Sequence, residues 1–260
     1  MDHKIINSLI DSDLYKFTMQ QVVLHKFPSA VVRYDFKCRN EANLAQYVNQ
    51  INEQVDHLCT LRFTDPELDY LSSLKFLKDD YIQFLRIFKL NRNYISIKAI
   101  SDTDIEVVIE GPWLHTIPFE VSVLAIINEV YCHNEGVDAT LNMDIAKGNL
   151  KSKIETIQHY IDTGSPFIFA DFGTRRRFSR EWQEYVDTEL NSKFPFNFTG
   201  TSNVLLAMRL GLKPIGTMAH EFIQAAQALG PRIVDSQVFA FDTWAHEYRG
   251  ELGIALSDCV

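Results

Sequence analysis

Hydrophobic and polar positions in the first part of the chain follow two different periods. Val32, Tyr34 and Phe36 alternate with charged residues, which predicts a strand with one solvated face. Apolar residues then recur at helical spacing, which predicts an amphipathic helix from Leu44, Val48, Ile51, Val55 and Leu58. Further predicted elements are an opening helix over 13–25, a helix that starts at a capping box in Thr64–Glu67, and paired strands over 94–99 and 104–109. This part is therefore predicted to be α+β.

Longer helical patterns alternate with short apolar runs after Pro118. The predicted helices are 119–132, 143–161, 179–190, 204–210 and 221–229; the predicted strands are 166–172, 213–218 and 252–256, and a further short segment lies at 232–235. Such alternation indicates an α/β fold with a largely parallel sheet, open or closed into a barrel.

Glycine and proline mark a boundary between these two patterns, at Gly111, Pro112 and Pro118. We therefore predict an N-terminal α+β domain at 1–117 and an irregular α/β barrel domain at 118–260. A complete barrel takes about 250 residues. The second domain is accordingly expected to hold only the first part of a barrel, and the chain is expected to be truncated at its C-terminus.

The 260-residue chain is acidic, with 34 Asp plus Glu against 25 Lys plus Arg and a formal net charge of −9. This charge disfavours nucleic acid or an anionic membrane as the main partner, but it allows a local basic pocket for a small anion. The cysteines have neither metal-site nor disulfide spacing; they are Cys38, Cys59, Cys132 and Cys259. With no apolar run of about 20 residues and no signal-peptide start, we expect a cytoplasmic protein.

Residues 198–230 hold the first candidate for chemistry. Thr199–Asn203 places hydroxyl residues and a glycine ahead of a helix former, a pattern typical of an anion site at a helix N-terminus. His220 lies where a predicted strand is followed by a helix, and strand ends of this kind carry the chemistry in α/β folds. The alternative is an ordinary junction with a hydrogen-bonded histidine.

Arginines follow the predicted strand that ends at Phe172. The run Arg175–Arg177 begins three residues after this aromatic side chain. An arginine beside an aromatic ring suits a planar ligand with a carboxylate, because the guanidinium can pair bidentately while the ring stacks. The alternative is a solvated charged face.

Four motifs, in this order, resemble the bacterial-type nicotinate phosphoribosyltransferase family. They are Asp13–Met19 (DLYKFTM), Phe172–Arg176 (FGTRR), Gly200–Asn203 (GTSN) and Gly216–Glu221 (GTMAHE). The resemblance covers essentially the whole chain and implies a type II phosphoribosyltransferase-like fold. It implies transfer of phosphoribosyl from phosphoribosyl pyrophosphate to nicotinate, giving nicotinate mononucleotide for NAD synthesis. It further implies coupling to ATP hydrolysis through a phosphohistidine, magnesium on the leaving pyrophosphate, and a homodimer with shared active sites.

The resemblance also implies roles for residues at the matching positions. His220 would be the phosphorylated histidine. Phe172 and Tyr15 would stack on the pyridine ring, with Tyr15 supplied by the other subunit. Arg175 would hold the nicotinate carboxylate, and Ser202 stands where the related nicotinamide enzymes carry Asp.

Three further residues would contact phosphoribosyl pyrophosphate, namely Arg39, Thr201 and Asp258. By residue type alone, Tyr15 would be a core residue and Arg39 a solvated one. The magnesium ligands are not identifiable from the sequence. Because the family extends beyond residue 260 and its 5′-phosphate loops lie there, we expect the 260-residue chain alone to be inactive.

Two other classes of protein stay open at this point. One is a metal-dependent hydrolase on a barrel, with ligands His220, Asp235, His246 and Asp258. The other is a phosphate-binding module without catalysis.

Overall fold

Helices make up most of the regular structure. The computed structural model describes residues 4–39, 41–136 and 139–256. Its helices are α1 (Leu14–Lys26), α2 (Val48–Leu58), α3 (Asp65–Ser73), α4 (Asp79–Ile87), α5 (Trp113–Thr116), α6 (Phe119–Glu135), α7 (Ala139–Asp162), α8 (Arg180–Lys193), α9 (Val204–Leu210), α10 (His220–Leu229) and α11 (Ser236–Tyr248). Its strands are β1 (Val31–Asp35), β2 (Ile95–Ala99), β3 (Ile105–Pro112), β4 (Phe169–Asp171) and β5 (Phe198–Thr201). Short 3-10 turns lie at Ala45–Tyr47, Arg92–Tyr94, Thr174–Arg176 and Ile233–Asp235. Within these ranges, no helix combines the length and the apolar character needed to cross a membrane.

Three strands of the first part form an antiparallel sheet in the order β1-β3-β2. Tyr34 of β1 pairs with Ile109 of β3, and Ile97 of β2 pairs with Val107 of β3. The alternating residues give β2 and β3 a buried face, whereas the apolar residues Val32 and Tyr34 of β1 are only partly buried and its charged positions are exposed. The strands predicted for this part are therefore confirmed.

Helices α2 and α6 share one apolar core with this sheet. Ile51, Val55 and Leu58 of α2 and Phe119 and Ile126 of α6 are completely buried in the same cluster. Burying a side chain of this size contributes about 1.5–3 kcal/mol. Since α6 begins beyond residue 117, the core of the first part continues across the predicted domain boundary.

The start of α3 follows the capping box expected from the sequence. The Glu67 carboxylate accepts a hydrogen bond from the Thr64 backbone N–H at 2.7 Å, and Pro66 lies in the first turn. Glu67 also accepts from the Ser8 hydroxyl. The cap therefore fixes the beginning of the helix and connects it to the N-terminal segment.

In the second part, β4 and β5 form a parallel pair. Phe169 is opposite Phe198, and Thr201 makes an isolated parallel bridge to Pro214. The mixed α/β class is thus confirmed. The predicted strand over 166–172 is shorter than expected, because only its centre pairs with β5.

Two predicted strands of the second part are wrong. Residues 213–218 form an extended segment with one bridge, and residues 252–256 carry no strand. Short apolar runs do not distinguish strands from other extended segments, and Ile254 is in fact 76% exposed. Helix α11 was not predicted, yet its Trp244 and Tyr248 belong to the apolar core next to α10.

Candidate active site

A cavity of about 550 Å³ opens between residues of the first and second parts of the chain. Tyr15, Phe172, Arg175 and His220 all line it. Polar groups on the same wall come from Asp13, Arg33, Tyr34, Glu120 and Glu221. The structure therefore brings together four of the residues selected from the sequence, while their chemical roles remain predictions.

Two aromatic rings face this cavity. Phe172 directly follows β4 and is 51% exposed, so one ring face is available for stacking on a flat ligand. Tyr15 is mostly buried, and its hydroxyl donates to Asp13 Oδ2 at 2.7 Å. This tyrosine lines the cavity of its own chain, and its supply by another subunit stays a prediction.

Arg175 reaches the cavity from the 3-10 turn after β4. Its side chain is 41% exposed, and Nη1 lies 3.3 Å from Glu120 Oε1. A guanidinium has five N–H donors in one plane, so a contact at one edge leaves others for a ligand carboxylate. By contrast, Arg177 is buried and pairs with Asp11 and Glu129. The arginine segment is therefore only partly a solvated face.

Behind the cavity wall, Ser202 contacts Asp13. Ser202 Oγ donates to Asp13 Oδ1 at 2.7 Å, and both residues are buried. Burial raises the pKa of Asp13, although hydrogen bonds from Ser202 and Tyr15 act against this shift. Ser202 does not line the cavity itself but contacts Asp13, which does. No role was predicted for Asp13 from the sequence.

The residues expected to contact phosphoribosyl pyrophosphate are placed differently. Of the two that the structure describes, neither Thr201 nor Arg39 lines the cavity. Thr201 is buried and donates to Asp171 Oδ2 at 3.2 Å, whereas Arg39 is exposed after β1. Asp258 lies outside the described residues.

His220 is the first residue of α10 and is exposed at the cavity. The next residue, Glu221, is held by donors from three other elements. Its carboxylate accepts from Trp113 Nε1 at 2.7 Å and from the Tyr34 hydroxyl. It also pairs with Lys16 of α1. The N-terminal turn that carries the histidine is therefore anchored to the first part of the chain.

Lys16 is a buried cation between two carboxylates. Its side chain is 1% exposed, and Nζ contacts both Glu120 and Glu221. Burial acts to lower the pKa of Lys16, but the charges of Glu221 and Glu120 raise it above its usual value. Burial acts to raise the pKa of Glu120, but Lys16 and Arg175 hold it below its usual value. Lys16 and Glu120 therefore each favour the charged form.

The sequence motifs contain Asp13, Lys16 and Glu221, but no function was predicted for these three residues, and none was predicted for Glu120. The available signal was a charged residue within an apolar helix, as at Lys16 in α1, where a charge is costly unless it is paired.

The ligand set of the hydrolase hypothesis is not assembled by the described residues. Asp235 pairs with Arg232, and His246 Nδ1 contacts the Asp242 carbonyl at 2.7 Å. Neither lies with His220 on the cavity wall. More generally, no group of three or more His, Cys, Asp or Glu in the described ranges could hold a metal ion. Magnesium commonly takes one or two carboxylates together with substrate phosphates, so it does not require such a group.

Family models match most of the chain in two blocks. Residues 10–128 match the nicotinate phosphoribosyltransferase N-terminal domain, and residues 167–260 match the nicotinate phosphoribosyltransferase family. Nicotinate phosphoribosyltransferase from Ralstonia nicotianae is 52% identical over 261 residues, covering 98% of this chain and 65% of the relative. The enzyme of that name from Acidovorax sp. is also 52% identical, with the same coverage. The chain thus spans 65% of the length of these curated relatives.

Crystal structures of similar proteins have the same fold. Nicotinate phosphoribosyltransferase from Vibrio cholerae superposes with a TM-score of 0.88 at 34% identity, covering 97% of this chain and 60% of that one. Nicotinate phosphoribosyltransferase from Porphyromonas gingivalis gives a TM-score of 0.87 at 28% identity, covering 96% and 62%. Fold, sequence and the four converging motifs agree, and the chain belongs to the nicotinate phosphoribosyltransferase family.

Proposed function

We propose that this chain carries the ring-binding and histidine-bearing part of an enzyme that transfers phosphoribosyl from phosphoribosyl pyrophosphate to nicotinate. The products would be nicotinate mononucleotide and pyrophosphate, as a step in NAD synthesis in the cytoplasm. The observation that carries this proposal is the single cavity shared by Phe172, Arg175 and His220. Its volume of about 550 Å³ suits a small ligand.

Nicotinate has two features that this cavity can bind. Its flat pyridine ring can stack on the exposed face of Phe172, with Tyr15 on the same wall. Its carboxylate can take a bidentate pair from Arg175, whose guanidinium is part-exposed. An uncharged carboxamide at this place would forgo the charge-assisted hydrogen bonds, so the pair would favour nicotinate over nicotinamide.

Transfer itself would form a bond between the ring nitrogen and the anomeric carbon of the ribose while the bond to pyrophosphate breaks. Positive charge develops on the ribose as pyrophosphate leaves with the bonding electrons, so positioning and charge stabilisation would dominate catalysis. Magnesium would neutralise the leaving group, and the proposal contains no step through the ion.

ATP hydrolysis would be coupled to this transfer through His220. A ring nitrogen of His220 would take the terminal phosphoryl group of ATP, releasing ADP, and water would later release phosphate. The position of His220 at the N-terminus of the ten-residue helix α10 supports this role, because helix N-termini favour negative charge. Glu221 would keep this turn in place through Trp113 and Lys16.

We also propose a homodimer. The resemblance to the family supports the dimer. Tyr15 lines the cavity of its own chain, so its position does not add to that support.

The test uses the full-length protein and nicotinate-dependent release of pyrophosphate. His220→Ala should abolish the stimulation by ATP and leave a slow residual transfer. His246→Ala, which changes an exposed histidine on α11, serves as the matched control and should retain stimulation. If the unmodified protein released no pyrophosphate in response to nicotinate, the proposed function would be wrong. Unchanged ATP stimulation in His220→Ala would refute the proposed phosphohistidine but not the proposed transfer reaction.

A further inference from the structure

The buried and part-buried charges beside the cavity form one connected set. Lys16 contacts Glu120 and Glu221, and Glu120 in turn contacts Arg175. These four residues come from α1, α6, α10 and the turn after β4. The proposed function assigns roles to Arg175 and to the pair of Glu221 and Lys16, but none to Glu120, so the charge of Glu120 requires an explanation.

Glu120 is placed between a fixed cation and a part-exposed one. Lys16 is 1% exposed, the Glu120 side chain is 26% exposed, and Arg175 is 41% exposed. Exposure thus increases from the interior toward the cavity. A long arginine side chain has many rotamers in solution, and a carboxylate at one edge of the guanidinium restricts them. The orientation of Arg175 therefore depends on Glu120, and that of Glu120 on Lys16.

Glu221 behaves differently from Glu120. It accepts hydrogen bonds from Trp113 and Tyr34 as well as contacting Lys16. Its position should therefore survive the loss of a single partner. Among the described contacts, Glu120 forms ion pairs with two residues, Lys16 and Arg175. A change at Glu120 should consequently act on the arginine rather than on the helix that carries His220.

We propose that Glu120 and Lys16 are positioning residues that orient Arg175 toward the ligand carboxylate and so determine the preference for a charged pyridine ligand over an uncharged one. This inference rests on the proposed function, because it takes nicotinate as the ligand. Lys16 and Glu120 would act through Arg175, without contacting the reacting atoms.

The decisive variant is Glu120→Gln in the full-length protein. The amide keeps the shape of the side chain but removes the charge that orients Arg175. Affinity for nicotinate should fall roughly tenfold, the size of one lost charge-assisted hydrogen bond. Affinity for nicotinamide, which has no carboxylate for Arg175, should change less than about twofold. Calorimetric titration with each compound measures both values, and the ratio separates positioning from a general loosening of the cavity.

Lys16 needs a charge-balanced variant, because Lys16→Met alone leaves two carboxylates without their buried cation. Lys16→Met combined with Glu120→Gln removes one charge of each sign and leaves Glu221 with Trp113 and Tyr34. This double variant should also lose nicotinate affinity selectively. The matched control is Lys151→Met with Glu155→Gln, the same substitutions at an exposed pair on α7.

The results decide between this inference and its alternatives. A selective loss for nicotinate in Glu120→Gln, with the control unchanged, supports it. Equal weakening of both ligands, or unchanged nicotinate affinity, overturns it; if the double variant does not fold, Glu120→Gln decides alone. Absence of nicotinate binding and of pyrophosphate release in the unmodified protein would instead refute the proposed function.

Discussion

The contact between Ser202 and Asp13 restricts which side chains can occupy position 202. Ser202 Oγ lies 2.7 Å from Asp13 Oδ1, and neither residue has appreciable exposure. A hydroxyl can donate to the carboxylate, whereas a second carboxylate at this distance would repel it. The identity of residue 202 is therefore expected to affect the stability of the protein.

We predict that Ser202→Asp lowers the free energy of unfolding by about 3 kcal/mol at pH 8, because it buries an unpaired charge beside another. The loss should be smaller at pH 5, where the two carboxylates can share a proton. Urea unfolding at both pH values measures this. Ser202→Ala is the control and should cost only about 1 kcal/mol, since it removes one hydrogen bond. An equal loss for Ser202→Asp at both pH values would contradict the explanation.

The same substitution should alter ligand preference. An added carboxylate next to Asp13 increases the negative charge at the cavity wall and repels an anionic ligand more than a neutral one. Nicotinate binding to the folded fraction should weaken far more than nicotinamide binding. Titration of Ser202→Asp with each compound tests this, and equal effects on the two would argue against a place for Ser202 near the ligand.

Long helices and the antiparallel sheet were predictable because their patterns extend over many residues. The apolar spacing in α2 and α6 and the alternation in β1 gave the correct elements, and Thr64–Glu67 gave the correct start of α3. Local patterns fix such elements when the buried face and the period agree.

Short segments were predicted less well, because their conformation depends on distant partners. Residues 213–218 contain enough apolar side chains for a strand, yet they run alongside β5 with a single bridge. Pro214 also has no backbone N–H to donate to a ladder. The ion pairs from Lys16 to Glu120 and Glu221 could not be predicted either, since no local sequence pattern connects α1 to α6 and α10.

The close approach of β5 to residues 213–215 leads to a prediction for Gly200. This glycine has φ of 138°, and a Cβ built there would lie 2.0 Å from the Lys213 carbonyl oxygen. Gly200→Ala should therefore destabilise the protein by about 2 kcal/mol or more, through backbone strain and displacement of the neighbouring segment. Thermal and urea unfolding provide the measurement.

Gly148 in α7 offers the matched control for this substitution. No heavy atom lies within 4 Å of a Cβ built at Gly148, and the residue is exposed. Gly148→Ala should stabilise the protein by about 1 kcal/mol, because alanine is the better helix former. The same chemical change thus has opposite expected signs at two positions. A neutral or stabilising Gly200→Ala would show that the two segments can separate without cost.

Across the whole molecule, buried polar contacts connect segments that are far apart in the chain. Arg177 joins Asp11 to Glu129, and Lys16 joins α1 to α10. Removing one partner of such a pair leaves an uncompensated buried charge, which is strongly destabilising. The candidate site therefore depends on the fold of both parts of the chain, and its electrostatics should make stability depend on pH.

One buried carboxyl in α8 is expected to contribute strongly to that dependence. Asp187 is fully buried, and neither of its carboxylate oxygens has a hydrogen-bond partner in the described part of the chain. Burial, together with the charge of Asp171, raises the pKa of Asp187 to about 8, although the nearby Thr201 hydroxyl acts against this shift. The folded protein therefore keeps this proton at pH values where the unfolded chain, with an ordinary pKa of 3.8, has released it. Stability from this group is fully present below about pH 4 and is lost progressively as the pH rises to about 8.

We predict that Asp187→Asn removes this loss. The amide cannot ionise, so the variant carries no buried charge at this position at any pH. The variant should exceed the unmodified protein by about 2 kcal/mol or more in free energy of unfolding at pH 8, since each pKa unit corresponds to about 1.4 kcal/mol. The difference should shrink toward zero near pH 4. Urea unfolding of both proteins between pH 4 and 8 measures it, with Asp144→Asn on the exposed face of α7 as the control. A difference that did not change with pH would mean that Asp187 has the same protonation in the folded and unfolded states, contrary to its burial beside Asp171.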